Sequence, residues 1–108
     1  MNVEFVMTKA FDESWAAMGL DDADLAALQS LLMLDPETGD VVPNTGGIRK
    51  VRVPASGRGK RGGARVIYVN VLVQERIYLL LAYPKNEQTD LTAQQLKTLR
   101  GLVRMLKR

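Results

Sequence analysis

The residues of this chain best suited to chemistry are its cations. Between Gly46 and Arg65 the run GGIRKVRVPASGRGKRGGAR carries Arg49, Lys50, Arg52, Arg58, Lys60, Arg61 and Arg65, interleaved with glycine and without one acidic residue. That density on a short chain suggests a surface for a polyanion. Arginine offers planar, bidentate donors that match a phosphate, so Arg52 and Arg65 are natural clamps, with Arg65 read as a surface residue opening a strand. Such a cluster could also cleave RNA. It would have to help remove the proton of a ribose 2′-hydroxyl, stabilise the extra charge on the in-line phosphate and assist the departing 5′-oxygen. A lysine ringed by other cations has its charged form disfavoured, which makes Lys50 and Lys85 candidate bases.

A basic run alone is usually a solvated surface. Here the cations come from separate segments that the strand pattern brings together, and their mutual repulsion calls for an anion; nucleic acid is the expected one. The net charge of +3 conceals an asymmetry. Residues 1–47 hold one cation and nine acids, a net −8, whereas residues 48–108 hold fourteen cations and three acids, a net +11. The second half could face a phosphate backbone and the first half should not.

Composition narrows the chemistry further. The chain has neither histidine nor cysteine, so the usual neutral-pH base, the commonest metal ligand and all thiol chemistry are missing. No phosphate-cradling P-loop, dinucleotide fingerprint, nucleophile elbow or metal-ligand spacing occurs. No cofactor or metal is expected. The start, MNVEFVMTKAF, does not read as a leader, and no stretch approaches a membrane span, so the expectation is a cytoplasmic chain with no membrane partner. At 108 residues it should form one domain, 1–108.

The elements that must position the cations follow from periodicity. Val3, Phe5 and Met7 alternate as a first strand, and Phe11, Trp15 and Met18 recur at helical spacing up to Gly19. Asp21 can cap a second helix with an apolar face of Leu25, Leu28, Leu31 and Leu32, ended by Pro36. From Ile48 to Val53 the period is two: Arg49, Val51 and Val53 share one face, and Ile48, Lys50 and Arg52 the other. Pro54 to Gly63 is a glycine-rich loop carrying Arg58, Lys60 and Arg61. The runs RVIYVNVLV and ERIYLLLAY read as central strands. A tight turn at Gln74 and Glu75 would set Arg65 opposite Pro84, one step from Tyr83 and Lys85. Lys50, Arg52, Arg65 and Lys85 then meet at one end of one sheet. A last helix starts at Thr92 with a capping box to Gln95 and an apolar stripe of Leu96, Leu99, Leu102, Val103 and Leu106. Tyr68, Tyr78 and Trp15 read as core. Tyr83 is balanced between packing and stacking on an exposed RNA base, and Asn86 could contact phosphate or base but equally be local turn structure.

These residues carry a resemblance. Asn44 to Gly47 followed by IRKVRV, then GRGKRGGARVIY, then YLLLAYPKNEQTDLTAQQ resemble the HigB-type toxins of the RelE superfamily of bacterial toxin–antitoxin systems. The resemblance implies an α+β fold: a small twisted antiparallel sheet with two N-terminal helices and one C-terminal helix. It further implies a ribosome-dependent endoribonuclease that cuts mRNA in the decoding site and is neutralised by a cognate helix-turn-helix antitoxin. Lys50 and Arg52 fall on the family's basic active-site strand, Arg65 on its phosphate-contacting arginine, and Lys85 on a basic position after the final strand, with Asn86 beside it. The founding members carry a second cation and a downstream tyrosine near that place, where this chain has Asn86 and Leu91 or a neighbour of it. In this reading Arg58, Lys60 and Arg61 grip messenger or ribosomal RNA. Two other readings fit the composition: a gyrase inhibitor resembling the ParE branch of the same fold, and a basic nucleic-acid-binding module without chemistry.

Overall fold

The computed structural model describes residues 2–54, 63–88 and 90–107. Five extended segments, β1 (Glu4–Met7), β2 (Asp40–Val41), β3 (Ile48–Val53), β4 (Ala64–Val71) and β5 (Arg76–Pro84), form one sheet of order β1-β5-β4-β3-β2. β2 to β5 pair antiparallel, and β1 lies parallel to β5, which makes the sheet mixed at that edge. Three helices complete the expected α+β architecture: α1 (Lys9–Ala17), α2 (Asp22–Leu34) and α3 (Ala93–Leu106).

Local chemistry fixes the helix ends. The Thr8 hydroxyl accepts from Phe11 N at the start of α1, and the chain leaves that helix through Gly19 in the left-handed region. Asp21 and Asp24 form a reciprocal capping box on α2, and Thr92 and Gln95 form another on α3. Each cap is worth about 1 kcal/mol.

The sheet has a core on each face. Phe11 and Trp15, stacked at 5.3 Å, join Leu28, Leu32, Val51, Val53, Val66, Tyr68, Ile77 and Leu79 under α1 and α2. Ile48, Ile67, Val69, Val71, Tyr78, Leu80 and Tyr83 join Leu99 and Val103 under α3. Because both faces are covered, β4 is buried at all but one position, which is why its sequence does not alternate. The sheet therefore separates an acidic layer, with Asp12, Glu13, Asp21, Asp22 and Asp24 on α1, α2 and the turn between them, from a basic one, with Lys97, Arg100, Arg104 and Lys107 on and just after α3.

The β4–β5 junction corrects the expected register. Leu72–Gln74 forms a 3-10 turn, Glu75 follows it at φ 54°, and Val71 pairs with Arg76, so the connection is longer than a two-residue turn. Farther on, Ile67 pairs with Leu81 but Tyr68 with Leu79, leaving Leu80 as an extra residue, a β-bulge. Arg65 consequently lies opposite Tyr83, and Ala64 takes Pro84. The bulge also reverses the parity of β5. Without it Ala82 and Pro84 would share the face of Tyr78; with it, Tyr83 does. Beyond Met7, where β1 ends, hydroxyls of the α1 segment complete the edge of β5: Thr8 Oγ1 donates to Leu80 O at 2.9 Å, and Ser14 Oγ accepts from Ala82 N at 3.0 Å.

Candidate active site

Strand register assembles the cations on the α3 face at one end of the sheet. Arg52, Arg65 and Tyr83 form one row across β3, β4 and β5, and the adjacent row on the same face begins at Lys50 and runs through Ile67 to Leu81. Val51 and Val53 occupy the opposite core, so Lys50 and Arg52 share a face as the alternation predicts. Arg49 turns the other way. Its Nη1 donates to Gly39 O at 2.7 Å and to Glu37 O at 3.1 Å, which ties β3 to the loop before β2 rather than to the cation cluster.

Lys85 lies two residues beyond Tyr83, half-buried, and its backbone N donates to Gly63 O at 3.3 Å. That bond closes the neck where the chain re-enters β4, so the start of β4 and the residue after β5 are held together. Gly63 itself has φ +65°, and a Cβ there would sit inside contact distance of Val53 O. A glycine at this position is thus required by conformation and by space. Asn86 is exposed in the following turn. Arg58, Lys60 and Arg61 lie outside the described residues.

Three findings change the expected site. Arg65 is not a surface arginine: only 7% of it is exposed, and among the described residues its Nη1 has no hydrogen-bond partner. A buried guanidinium donor left unpaired is costly, and its cost is offset where an anion supplies the acceptor. Tyr83 is 4% exposed, too little for a base to stack on its ring, so it belongs to the packing alternative. Its phenol is pushed above the ordinary tyrosine value, first by burial and then by the Asp90 charge, with Arg65 opposing. Lys50 meets a carboxylate rather than cations alone: its Nζ lies 2.8 Å from Asp90 Oδ1. That interaction undercuts the argument for Lys50 as a base made from surrounding positive charge.

Asp90 is the residue the sequence reading missed. Its carboxyl is held below the ordinary value by the Lys50 hydrogen bond first, then by the charges of Lys50 and Arg65. The signal was present in its rarity, since it is one of three acids in the basic half. Asp90, Lys50 and Asp40, the cross-strand partner of Lys50, line a cleft of about 300 Å³ with Val42, Leu91 and Leu96. The arrangement offers a buried arginine with a spare donor, an exposed arginine in the same row, a lysine on a releasable carboxylate and a second lysine at the strand end. Such a set can bind a phosphodiester and stabilise added charge on it.

Known proteins carry the same frame. Over residues 6–108 the sequence matches the model of the RelE toxin of the RelE/RelB toxin–antitoxin system. The fold is similar to that of a free-state double mutant of E. coli toxin RelE, with TM-score 0.60 and 9% identity over 95% of this chain and 98% of that one. It is also similar to a chain of the intact E. coli RelBE toxin–antitoxin complex, with TM-score 0.55 and 11% identity over 76% and 95% of the two chains. A chain of the archaeal RelE–RelB complex from Pyrococcus horikoshii OT3 matches with TM-score 0.54 and 19% identity over 82% and 100%. Among the described residues no helix is long and apolar enough to cross a membrane. With all but its first five residues matched by the family model, the chain belongs to the RelE toxin family of RelE/RelB toxin–antitoxin systems.

Proposed function

We propose that the protein is a ribosome-dependent mRNA endoribonuclease of the HigB branch that acts in the cytoplasm and is neutralised by an antitoxin, the arrangement in which its structural neighbours from E. coli and P. horikoshii occur with RelB. The observation that carries this reading is the buried, incompletely paired Arg65 in one row with Arg52 and one step from Lys50. In this mechanism the scissile phosphate takes the vacant donor of Arg65, with Arg52 at its solvent side. Lys50 leaves Asp90 to meet the same phosphate, an exchange of one anion for another. The 2′-oxygen forms its bond to phosphorus as the bond to the 5′-oxygen breaks, giving a 2′,3′-cyclic phosphate and a free 5′-hydroxyl. Lys50 stays charged on the phosphate, so the 2′-hydroxyl proton falls to the amine of Lys85, for which no carboxylate partner occurs among the described residues, and the ammonium so formed returns a proton to the departing 5′-oxygen. No metal takes part in this scheme, in keeping with a chain that lacks histidine and cysteine.

Primer extension on messages after induction tests the assignment. Cuts within translated codons, lost in Arg65→Met and Lys85→Met, are the expected outcome; an uncut message with signs of DNA damage would instead favour gyrase poisoning.

A further inference from the structure

A second set of cations lies outside this site. Arg100, Arg104 and Lys107 follow one another at helical spacing, so they share a face at the C-terminal end of α3 and just beyond it. That face and the turn Asn44–Gly46 enclose a cleft of about 310 Å³. The turn is shaped to receive the lysine. Asn44, Gly46 and Gly47 all have positive φ, Lys107 Nζ donates to Gly46 O at 2.5 Å, and a Cβ on Gly47 would lie 2.9 Å from that nitrogen. None of the three cations has an ion-pair partner among the described residues. Three uncompensated positive charges around one cleft repel one another, and a bound anion relieves that repulsion.

We propose that this cleft is a second phosphate-binding subsite, and that its ligand is the backbone of the RNA strand whose phosphate occupies the Arg65 site. The proposal rests on the nuclease reading for the identity of the ligand as RNA. Two arguments favour RNA over an acidic peptide. Guanidinium forks at Arg100 and Arg104 match phosphate oxygens bidentately. The cleft also neighbours the first one: residues 40–43 wall the first and 44–46 the second, and α3 runs past both, Leu96 lining the first and Arg104 the second. Eight residues of helix span about 12 Å, a distance that a few nucleotides cover.

The test uses the full chain and a labelled single-stranded RNA whose 2′-hydroxyls are methylated, so that it cannot be cut by 2′-attack. Binding is measured by fluorescence anisotropy across a salt series for the parent and for Arg100→Gln/Arg104→Gln. Loss of two phosphate contacts lowers the slope of log K against log salt by about 1.4 and weakens binding at every salt concentration. The double lysine variant, Arg100→Lys/Arg104→Lys, retains the slope while losing affinity. An unchanged slope and affinity in the glutamine variant overturns the proposal. So does a parent that does not bind the RNA, or a variant that loses a polyglutamate peptide while holding RNA as before. The expected binding, with unmodified messages left uncut on programmed ribosomes, would remove the nuclease reading and leave the subsite standing. Cleavage with an unchanged slope would do the reverse.

Discussion

Arg65→Met separates the two costs that the site carries. Arg65 is 7% exposed and has a donor without an acceptor among the described residues, so it is a desolvated charge incompletely paired there. An unsatisfied buried donor costs about 1–3 kcal/mol. An apolar side chain of similar volume at this position removes that desolvation cost. The opposing loss is the attraction between Arg65 and Asp90, but Asp90 is exposed and solvent screens that attraction, so it offsets little. Methionine retains much of the packing volume, so little cavity term enters. The expected balance is a gain of about 1–2 kcal/mol, which in a domain of this size raises Tm by about 4–8 °C. Under the proposed mechanism, which puts the phosphate on this donor, cleavage by the same variant should vanish. Thermal unfolding followed by circular dichroism, together with primer extension, reads both halves. A variant less stable than the parent would show that Arg65 is satisfied in the ligand-free fold, and retained cleavage would show that its buried donor is not used.

Three further perturbations bear on the frame. Tyr68 OH donates to Pro36 O at 2.8 Å and accepts from Gly39 N at 3.1 Å, so Tyr68→Phe leaves a buried N–H unpaired and should lower stability by about 1–3 kcal/mol in urea unfolding with an unchanged m-value. Gly63→Ala combines a positive φ with a clash on Val53 O; a loss of at least about 1–3 kcal/mol, with reduced cleavage from the displaced start of β4, is expected by the same assays. Asp90 has a folded pKa below its ordinary 3.8, so its contribution to stability is present above that value and is lost as pH falls through the depressed one. An NMR titration of the Lys50 ammonium should follow that acid transition in the parent and show none in Asp90→Asn; identical titrations would remove the ion pair from the account.

Local rules were legible in the sequence where they act over three or four residues. Asp21 with Asp24 and Thr92 with Gln95 cap helices through contacts that the chain makes with its own neighbours, and Ile48 to Val53 alternates because each face meets a different core. What escaped was set at longer range. The parallel pairing of β1 with β5 joins residues some seventy positions apart, and nothing in Glu4–Met7 encodes its partner. Glu75 adopts φ 54° without being a residue type that favours it, and the bulge at Leu80 sits within a run of leucines, so neither register shift had a local marker. Arg65 takes the face that α3 covers by its alternation with Ile67 and Val69 along β4, and the shifts set Tyr83 rather than Pro84 opposite it, a pairing that its own neighbours in sequence do not mark. Asp90 lies forty residues from Lys50, and only the folded β3 brings the ammonium to it.

The central claim is that this cation cluster cleaves RNA through its own 2′-hydroxyl without a metal. It is tested most directly by presenting programmed ribosomes with two messages that differ only in a 2′-O-methyl group at the cut site, in the presence of a chelator at a level that preserves the ribosome. The account predicts cleavage of the unmodified message, with 2′,3′-cyclic phosphate ends, and an intact methylated one. Cleavage of the methylated message at the same position, or cleavage that appears only when a divalent metal is supplied to the toxin, would contradict it.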